Sequence, residues 1–382
     1  MTTINPLSID QLIDDPATRI IVCCGSGGVG KTTTAAAIGL RAAERGRHVV
    51  VLTIDPARRL AQSMGLSKLD NSPRKVDGID TDAGGELQAM MLDMKRTFDE
   101  IVLNHADPAR AQQILANPFY QALSSSFAGT QEYMAMEKLG QLRARGEWDL
   151  IVVDTPPSRS ALDFLDAPKR LGSFLDGRFI RLLTAPAKAG GRLYTRVLAA
   201  SVGLFSNVLN RILGTQLLSD VQTFVAALES MFGGFRERAE TTYRLLQAPG
   251  TAFIVVAAPE PDALREAAYF VERLSQEQMP LAGLVVNRVH QTRAPQLSVE
   301  RSLTAAESLL DGGPVPPERA RLAAGLLRLH AERMRVIARE HRLRERFTSA
   351  YPDVPVAEIP ALPVDVHDLD GLRVIGTYLA KA

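Results

Sequence analysis

Short apolar runs rich in β-branched residues alternate along this chain with longer stretches of helical periodicity. The runs predict buried strands at residues 19–24, 47–55, 86–93, 148–154, 252–256, 281–287 and 356–360. The stretches between them predict helices at 34–43 and 261–276, an arginine-rich helix after Pro317, and mostly helical regions at 95–147, broken near Pro108 and Pro118, and at 158–248. Apolar strands that alternate with helices are typical of an α/β fold, in which a mostly parallel, doubly wound sheet is covered on both faces.

A glycine-rich loop connects the first predicted strand to the first predicted helix. It consists of Gly25, Ser26, Gly27, Gly28, Val29 and Gly30, followed by Lys31, Thr32 and Thr33. This order matches the P-loop of nucleoside triphosphatases, whose backbone N–H groups cradle phosphate oxygens beside the positive end of a helix. The pattern predicts that Lys31 reaches the terminal phosphates and that the Thr32 hydroxyl binds Mg²⁺. The alternative, a glycine-rich turn that binds nothing, is disfavoured by the flanking strand and helix.

Polar residues end three other predicted strands. Asp55, Asp154 and Asn287 occupy these ends, and the carboxyl ends of parallel strands meet in one crevice together with Gly25. Asp154 follows four apolar residues and has the form of a Walker B acid, which would hold Thr32 or a magnesium-bound water. Asp55 would polarise the attacking water. The alternatives are that Asp154 caps the next helix and that Asp55 forms a turn before a proline.

Composition narrows the classes of partner. The 382 residues carry a net charge of +1, and 46% are hydrophobic and 23% charged, which is ordinary for a globular protein with a sizeable core. With so small a net charge, the protein has no overall positive electrostatic potential that would attract nucleic acid. The two cysteines, Cys23 and Cys24, are adjacent in the first strand, so they predict neither a disulfide framework nor a metal clamp and favour a cytoplasmic setting. We find no signal peptide and no membrane-spanning stretch, so we expect no integral membrane protein.

Taken in order, the motifs resemble those of one family of deviant Walker A P-loop ATPases, the arsenite-pump ATPases and the ATPases that target tail-anchored membrane proteins. The resemblance rests on the glycine-rich loop and on Asp55-Pro56-Ala57, Asp154-Thr155-Pro156-Pro157-Ser158, Pro259-Glu260, Val285-Val286-Asn287, Ile359-Pro360-Ala361-Leu362-Pro363 and Leu369-Asp370-Gly371-Leu372. It implies a dimer that binds two ATP molecules with Mg²⁺ at its interface, hydrolyses them, and has a helical region that responds to the nucleotide.

The same resemblance implies roles for single residues. Lys31, Asp55 and Asp154 would be catalytic, with Asp55 as the water-orienting acid of the first switch and Asp154 at the start of the second. Asn287 would bond the adenine edge, and the loop of Pro360, Ala361 and Leu362 would pack on the base. A role in arsenite resistance is disfavoured, because soft trivalent arsenic requires thiolate ligands and this chain offers only two buried cysteines.

Two positions depart from the family pattern. Ser26 lies where the family usually has a lysine that reaches the phosphates of the partner subunit, and Arg159-Ser160 replaces a Gly-His pair of the second switch. Arg58 or Arg59 would have to substitute for the lysine, or a related subunit would supply it, or hydrolysis would be weak. Two functions therefore stay open: an ATPase that couples nucleotide state to client or partner binding, and a weak regulatory subunit that pairs with an active paralogue. A partition or septum-placement ATPase shares the P-loop, but long helical insertions disfavour it.

The predicted organisation separates a nucleotide-binding core from helical insertions. The core comprises residues 1–95, 145–165 and 250–382, and the insertions, which would bind a client or partner, comprise 96–144 and 166–249. Apolar residues recur at helical spacing over 197–213, which indicates either an ordinary core helix or a groove for an apolar client segment. Leu322, Leu329, Val336 and Leu343 recur every seven residues. We expect this seam to pack on the core, with an anionic-membrane or nucleic-acid surface as the alternative.

Overall fold

The strands form one sheet with the P-loop strand near its centre. The computed structural model describes residues 5–54, 59–117, 120–121, 130–156, 237–311 and 315–380. Its strands are β1 (Ile20–Cys24), β2 (His48–Thr53), β3 (Arg74–Lys75), β4 (Glu86–Met91), β5 (Leu150–Asp154), β6 (Thr251–Ala257), β7 (Leu281–Val289) and β8 (Val356–Pro360). They are ordered β3-β4-β2-β5-β1-β6-β7-β8, and every neighbouring pair is parallel except β3 with β4. This sheet confirms the predicted α/β fold.

Helices flank the sheet on both sides. They are α1 (Ile9–Asp14), α2 (Lys31–Glu44), α3 (Arg59–Ser63), α4 (Met94–His105), α5 (Pro108–Ala116), α6 (Thr130–Arg145), α7 (Pro261–Gln276), α8 (Val299–Leu310), α9 (Pro317–Ala350) and α10 (Leu369–Ala380). Residues 237–247 are also helical. The predicted helix at 261–276 is α7, and the predicted break near Pro108 separates α4 from α5. The prediction missed β3, α1, α3, α8 and α10. Ser298 caps α8 by accepting the N–H of Arg301, a signal that the sequence did offer.

Successive residues of the central strands enter two separate cores. In β1, Ile20 and Val22 belong to one cluster, whereas Ile21 and Cys23 belong to the other. The first cluster contains residues of α4, α5, α6, α7 and the end of α9, and the second contains residues of α2 and α10. Because both faces of the sheet are covered, the strands are apolar throughout and do not alternate with polar residues.

The heptad seam of α9 is only partly used as expected. Leu343 packs on the core, but Leu322, Leu329 and Val336 are 67%, 63% and 40% exposed. Over this part α9 packs against α8, and its buried residues are small ones: Ala320, Ala324 and Ala331. The prediction that the whole seam packs on the core is therefore wrong, because alanines on another face of the helix make the contact with its neighbour.

Several predictions fall on residues that the structure does not describe. These are Asp55-Pro56-Ala57, Arg58, Arg159-Ser160, the apolar segment at 197–213 and most of the helical region at 158–248. The division into a core and two insertions stays a prediction as well. Within the described part of the first insertion, α5 and α6 share one hydrophobic cluster with the strands.

Candidate nucleotide site

Two glycines give the P-loop a course that other residues would obstruct. Gly25 has φ = +146°, and a Cβ added to it would lie 2.1 Å from the carbonyl oxygen of Val256. Gly30 has φ = +97°, and its added Cβ would lie 2.2 Å from the side-chain nitrogen of Asn287. Only glycine meets both demands, a left-handed backbone and no side chain. The loop is therefore held closely between β6 and the end of β7.

Lys31 lies beneath the loop at the first position of α2. Its side chain is buried, and its Nζ donates to the carbonyl oxygen of Ser26 at 2.7 Å. The helix has Gly30 as its N-cap and no side-chain cap, and the first N–H groups of a helix are those that a phosphate accepts. The ammonium and the positive helix end therefore lie together at the loop, which suits the predicted binding of phosphate. Gly27 and Gly28, at the tip of the loop, are exposed.

A buried carboxylate joins three elements at the carboxyl ends of the central strands. Asp154, which is fully buried, accepts hydrogen bonds on Oδ2 from Thr32 Oγ1 at 2.8 Å and from Thr53 Oγ1 at 2.9 Å. Thr32 belongs to α2 and Thr53 to β2, so the contact fixes the first turn of α2 over the strand ends. A hydroxyl beside a carboxylate is a set of hard oxygen donors, which suits Mg²⁺. The residues present therefore fit the predicted magnesium site.

The predicted phosphate and base residues line one crevice. It has a volume of about 670 Å³, and the predicted residues that line it are Gly30, Thr32, Thr33, Asn287, Pro360, Ala361 and Leu362. The backbone N–H of Ala361 donates to the carbonyl oxygen of Val289 at 2.9 Å, which joins the loop after β8 to the end of β7. The contact of this loop with a base stays a prediction. Gln62, Ser63, Arg288, His290 and His367 also line the crevice and were not predicted.

Asn287 is tied to the P-loop. Its Nδ2 donates to the carbonyl oxygen of Val29 at 2.8 Å, and its Oδ1 accepts the backbone N–H of Arg288 at 2.9 Å. Arg288 reaches this position in the left-handed region, with φ = +62°, a conformation that residues with a side chain adopt rarely. The side chain of Asn287 thus positions the loop, a task that the sequence did not indicate, and the predicted adenine contact stays a prediction.

A histidine and a glutamate connect the part of the crevice that follows β7 to α9. Glu340 is buried, its Oε2 accepts the backbone N–H of His290 at 2.9 Å, and its Oε1 lies 2.6 Å from Nδ1 of the same residue. A second bond runs from Arg333 Nε to the carbonyl oxygen of Gln291, at 2.9 Å. The sequence offers one signal for this pair, since the acid Glu340 lies between Val336 and Leu343, on the same side of the helix as the apolar seam. Its partner is fifty positions away along the chain.

Replacing Glu340 with alanine should lower the free energy of unfolding by about 1–3 kcal/mol, because the partly buried backbone N–H of His290 loses its charged acceptor. Urea denaturation measures this change. The matched control is Glu345→Ala, because Glu345 lies on the same helix with its side chain 63% exposed, and we expect a change of about 0.5 kcal/mol or less. Equal losses in the two variants would contradict a special role for the contact between Glu340 and His290.

The cysteines do not provide a soft metal site. Cys23 and Cys24 are both buried and carry free thiols. Burial is the main cause that raises the pKa of both, well above its ordinary value for Cys23 and to about 12 for Cys24. Soft metals and trivalent arsenic bind thiolates, so neither thiol is prepared to bind them at neutral pH. Among the described residues, no group of three or more His, Cys, Asp or Glu side chains is placed to hold a metal ion.

None of the helices that the structure describes is both long and apolar enough to cross a membrane.

Comparison with known proteins gives one consistent result. The model of the anion-transporting ATPase family matches residues 18–302. ATPase get3 of Schizosaccharomyces pombe is 26% identical over 380 residues, which cover 98% of this chain and 95% of that protein. ATPase GET3 of Podospora anserina is 26% identical over 284 residues, 74% of this chain and 76% of the relative. ATPase GET3 of Malassezia globosa is 30% identical over 166 residues, 44% of this chain and 47% of the relative. The chain therefore belongs to the anion-transporting ATPase family, the arsenite-pump and tail-anchored-protein-targeting ATPases that its motifs resemble.

Proposed function

We propose that the chain binds ATP with Mg²⁺ in the crevice beside the P-loop, hydrolyses it, and uses the nucleotide state to change the binding of a client or partner. The observation that carries this proposal is the 2.8 Å hydrogen bond between Thr32 Oγ1 and Asp154 Oδ2. It places a hydroxyl and a carboxylate next to the anion-binding loop, where a magnesium triphosphate needs them. Membership of an ATPase family supports the same activity.

Each residue of the site has a task in this proposal. The loop amides from Gly25 to Thr33 and the ammonium of Lys31 bind phosphate oxygens. Thr32 would hold Mg²⁺ with its hydroxyl, and Asp154 would act on the ion through a water molecule. Bound Mg²⁺ would neutralise the charge that develops on the phosphates. Asp55 orients the attacking water, which is a matter of position more than of covalent chemistry.

The base end of the crevice supplies the remaining contacts. We assign the adenine edge to Asn287 and the face of the base to Pro360, Ala361 and Leu362. Because Asn287 also holds the carbonyl of Val29 at 2.8 Å, occupation of the base end and the course of the P-loop depend on the same side chain. This shared residue supports a mechanism in which the bound nucleotide stabilises one arrangement of the loop.

The proposal extends to a dimer with nucleotides at its interface, either of two copies or of this chain with a paralogous ATPase. The exposed tip of the loop, Gly27 and Gly28, supports it, since the phosphate side of the site is open to a second subunit. ATP would close the dimer and reshape the helical insertions, where an apolar client segment would bind.

The second candidate is a regulatory subunit that binds ATP but hydrolyses it weakly. Ser26 favours it, because serine carries no charge to stabilise the partner's phosphates, and a cationic group supplied across an interface contributes about 10³–10⁵-fold to phosphoryl transfer in related P-loop enzymes. The acid at Asp154 with its two threonine partners opposes this candidate. Asp55, the acid that would orient the attacking water, is also present, and a chain that does not hydrolyse ATP has no need of both acids.

Steady-state ATP turnover of the purified chain, with Mg²⁺ and then with EDTA, distinguishes the two candidates. We expect turnover with Mg²⁺ that falls at least about tenfold when the metal is removed, because the phosphate charge is then unneutralised. Nucleotide binding without turnover would support the regulatory subunit. The absence of binding in calorimetry with Mg²⁺ and ATP would contradict both candidates.

A further inference from the structure

Most of α9 consists of four consecutive heptads that the nucleotide site does not explain. Residues 320–347 divide into ARLAAGL, LRLHAER, MRVIARE and HRLRERF, each with arginine in second place and leucine or valine in third. The third and seventh places form one stripe: Leu322, Leu326, Leu329, Arg333, Val336, Glu340, Leu343 and Phe347. Spacings of three and four residues that alternate in this way are typical of the seam along which two helices wind around each other.

The two halves of this stripe differ in what covers them. Glu340 and Phe347 are buried, and Leu343 packs on the core. The first half, which we call the open seam, comprises Leu322, Leu326, Leu329 and Val336, with exposed fractions of 67%, 59%, 63% and 40%. It spans two heptads, whereas α8 packs on the alanine face instead. A soluble chain seldom leaves such a row of large apolar side chains uncovered.

The open seam carries a depression large enough to receive a side chain from another helix. Its volume is about 440 Å³, and it is lined by Leu329, Glu332, Arg333 and Val336 together with His290 and His330. The first four stand at positions i, i+3, i+4 and i+7, which is the set of four that surrounds each inserted side chain in a coiled coil. A lipid surface needs no such hole. The depression therefore indicates a helix as the occupant.

We propose that the open seam binds the open seam of a second copy of this chain, with the two helices antiparallel. In this arrangement Leu326 faces the second copy's Leu329, and Leu322 enters its depression beside Arg333. The charges beside the seam are then complementary, because Glu318 lies next to the second copy's Arg339. A parallel pair would instead bring the two Arg333 side chains together. It would also place the α/β sheets of the two copies at the same end of the helix pair. This contact is independent of the proposed ATPase activity.

The mass of the full chain without nucleotide, measured by sedimentation equilibrium, tests the contact. We expect a dimer whose dissociation constant rises about tenfold or more in Leu329→Glu, because a charge then occupies the apolar seam. The matched control is Leu103→Glu, since Leu103 on α4 is 58% exposed, and its dissociation constant should not change. A monomeric parent chain, or a dimer that Leu329→Glu does not weaken, would overturn the proposal.

An exchange of charges tests the orientation and the identity of the occupant. Glu318→Arg alone should weaken the dimer, and the double variant Glu318→Arg with Arg339→Glu should restore it, because each charge then meets its opposite in the second copy. Failure of this rescue would overturn the antiparallel pairing. Should the parent chain be monomeric but sediment with phosphatidylserine vesicles in a manner lost in Leu329→Glu, the occupant would be a bilayer, and the proposal would be wrong. Because no nucleotide is present, failure here leaves the ATPase proposal untouched.

Discussion

Replacing Asp154 with asparagine should lower ATP turnover about 100-fold, the effect expected when a carboxylate that orients a metal's ligands is lost. Asparagine keeps the shape of the side chain, and its Oδ1 still accepts the hydroxyls of Thr32 and Thr53, which now lie 2.8 and 2.9 Å from Asp154 Oδ2. What is lost is the negative charge beside the magnesium position. The apparent affinity for Mg²⁺ should therefore fall together with turnover. The measurement is turnover against Mg²⁺ concentration at saturating ATP.

The fold of this variant should remain intact. Burying a carboxylate costs free energy, and Asp154 is fully buried, so without nucleotide the asparagine variant should unfold at a temperature no lower than the parent. The matched control is Asp149→Asn, because Asp149 precedes the same strand at its opposite end and accepts the backbone N–H of His48 at 3.0 Å. That variant should keep full turnover. Loss of turnover in both variants would show a general effect of altering β5, and the proposed task of Asp154 would be wrong.

Residues that are close in sequence account for the part of the site that was predicted. The P-loop, its Lys31 and the hydroxyl of Thr32 lie within nine successive positions. The backbone conformations of the loop require glycine, and the glycines are recognisable in the same nine residues. The strands were recognisable because both faces of the sheet are covered, so that β1 and β5 are buried throughout. Asp154 ends such a strand. Its partnership with Thr32 followed from the rule that parallel strands present their carboxyl ends to one crevice.

What the sequence did not predict depends on contacts between distant segments. Nothing local to Asn287 indicates that its amide holds the carbonyl of Val29, since 258 positions separate the two. His290 and Glu340 are also distant in sequence, fifty positions apart. The heptads of α9 predicted an apolar seam correctly, but periodicity does not state which neighbour covers each half. In the structure the seam meets the core only from Glu340 onward, and the preceding two heptads are exposed.

The open seam and the nucleotide crevice share one structural connection. His290 lines both the crevice and the depression on α9. The backbone N–H of His290 donates to the side chain of Glu340, which also belongs to α9, at 2.9 Å. A shift of the segment after β7 would therefore change both the crevice and the depression, because Arg333 on α9 also donates a hydrogen bond to Gln291 in that segment. Energetic coupling between two sites requires such an element in common. The affinity of the α9 contact measured with and without ATP would give its size.

Replacing Lys31 with alanine should weaken ATP binding about 10- to 100-fold, because a buried ammonium that donates to phosphate oxygens contributes roughly 1.5–3 kcal/mol. The geometry prepares it for this task. Nζ is already held at 2.7 Å from the carbonyl of Ser26, so little freedom remains to be lost when a phosphate arrives. The absence of a lysine at Ser26 makes Lys31 the one cation that the P-loop sequence itself supplies. Calorimetric titration with Mg²⁺ and ATP measures the change.

A second buried lysine provides the control, because it separates binding from stability. Lys138 on α6 has a side chain only 4% exposed and forms an ion pair with Glu100 at 2.6 Å, away from the loop. Lys138→Ala should lower the free energy of unfolding by about 1–3 kcal/mol, since it removes a buried charged partner, and should leave ATP affinity unchanged. Lys31→Ala should do the reverse and lose affinity with little loss of stability. If Lys31→Ala bound ATP as tightly as the parent, the phosphates would not lie in this loop. The roles proposed for Thr32, Asp154 and Asn287 would then be wrong as well, because all three assume that position of the phosphates.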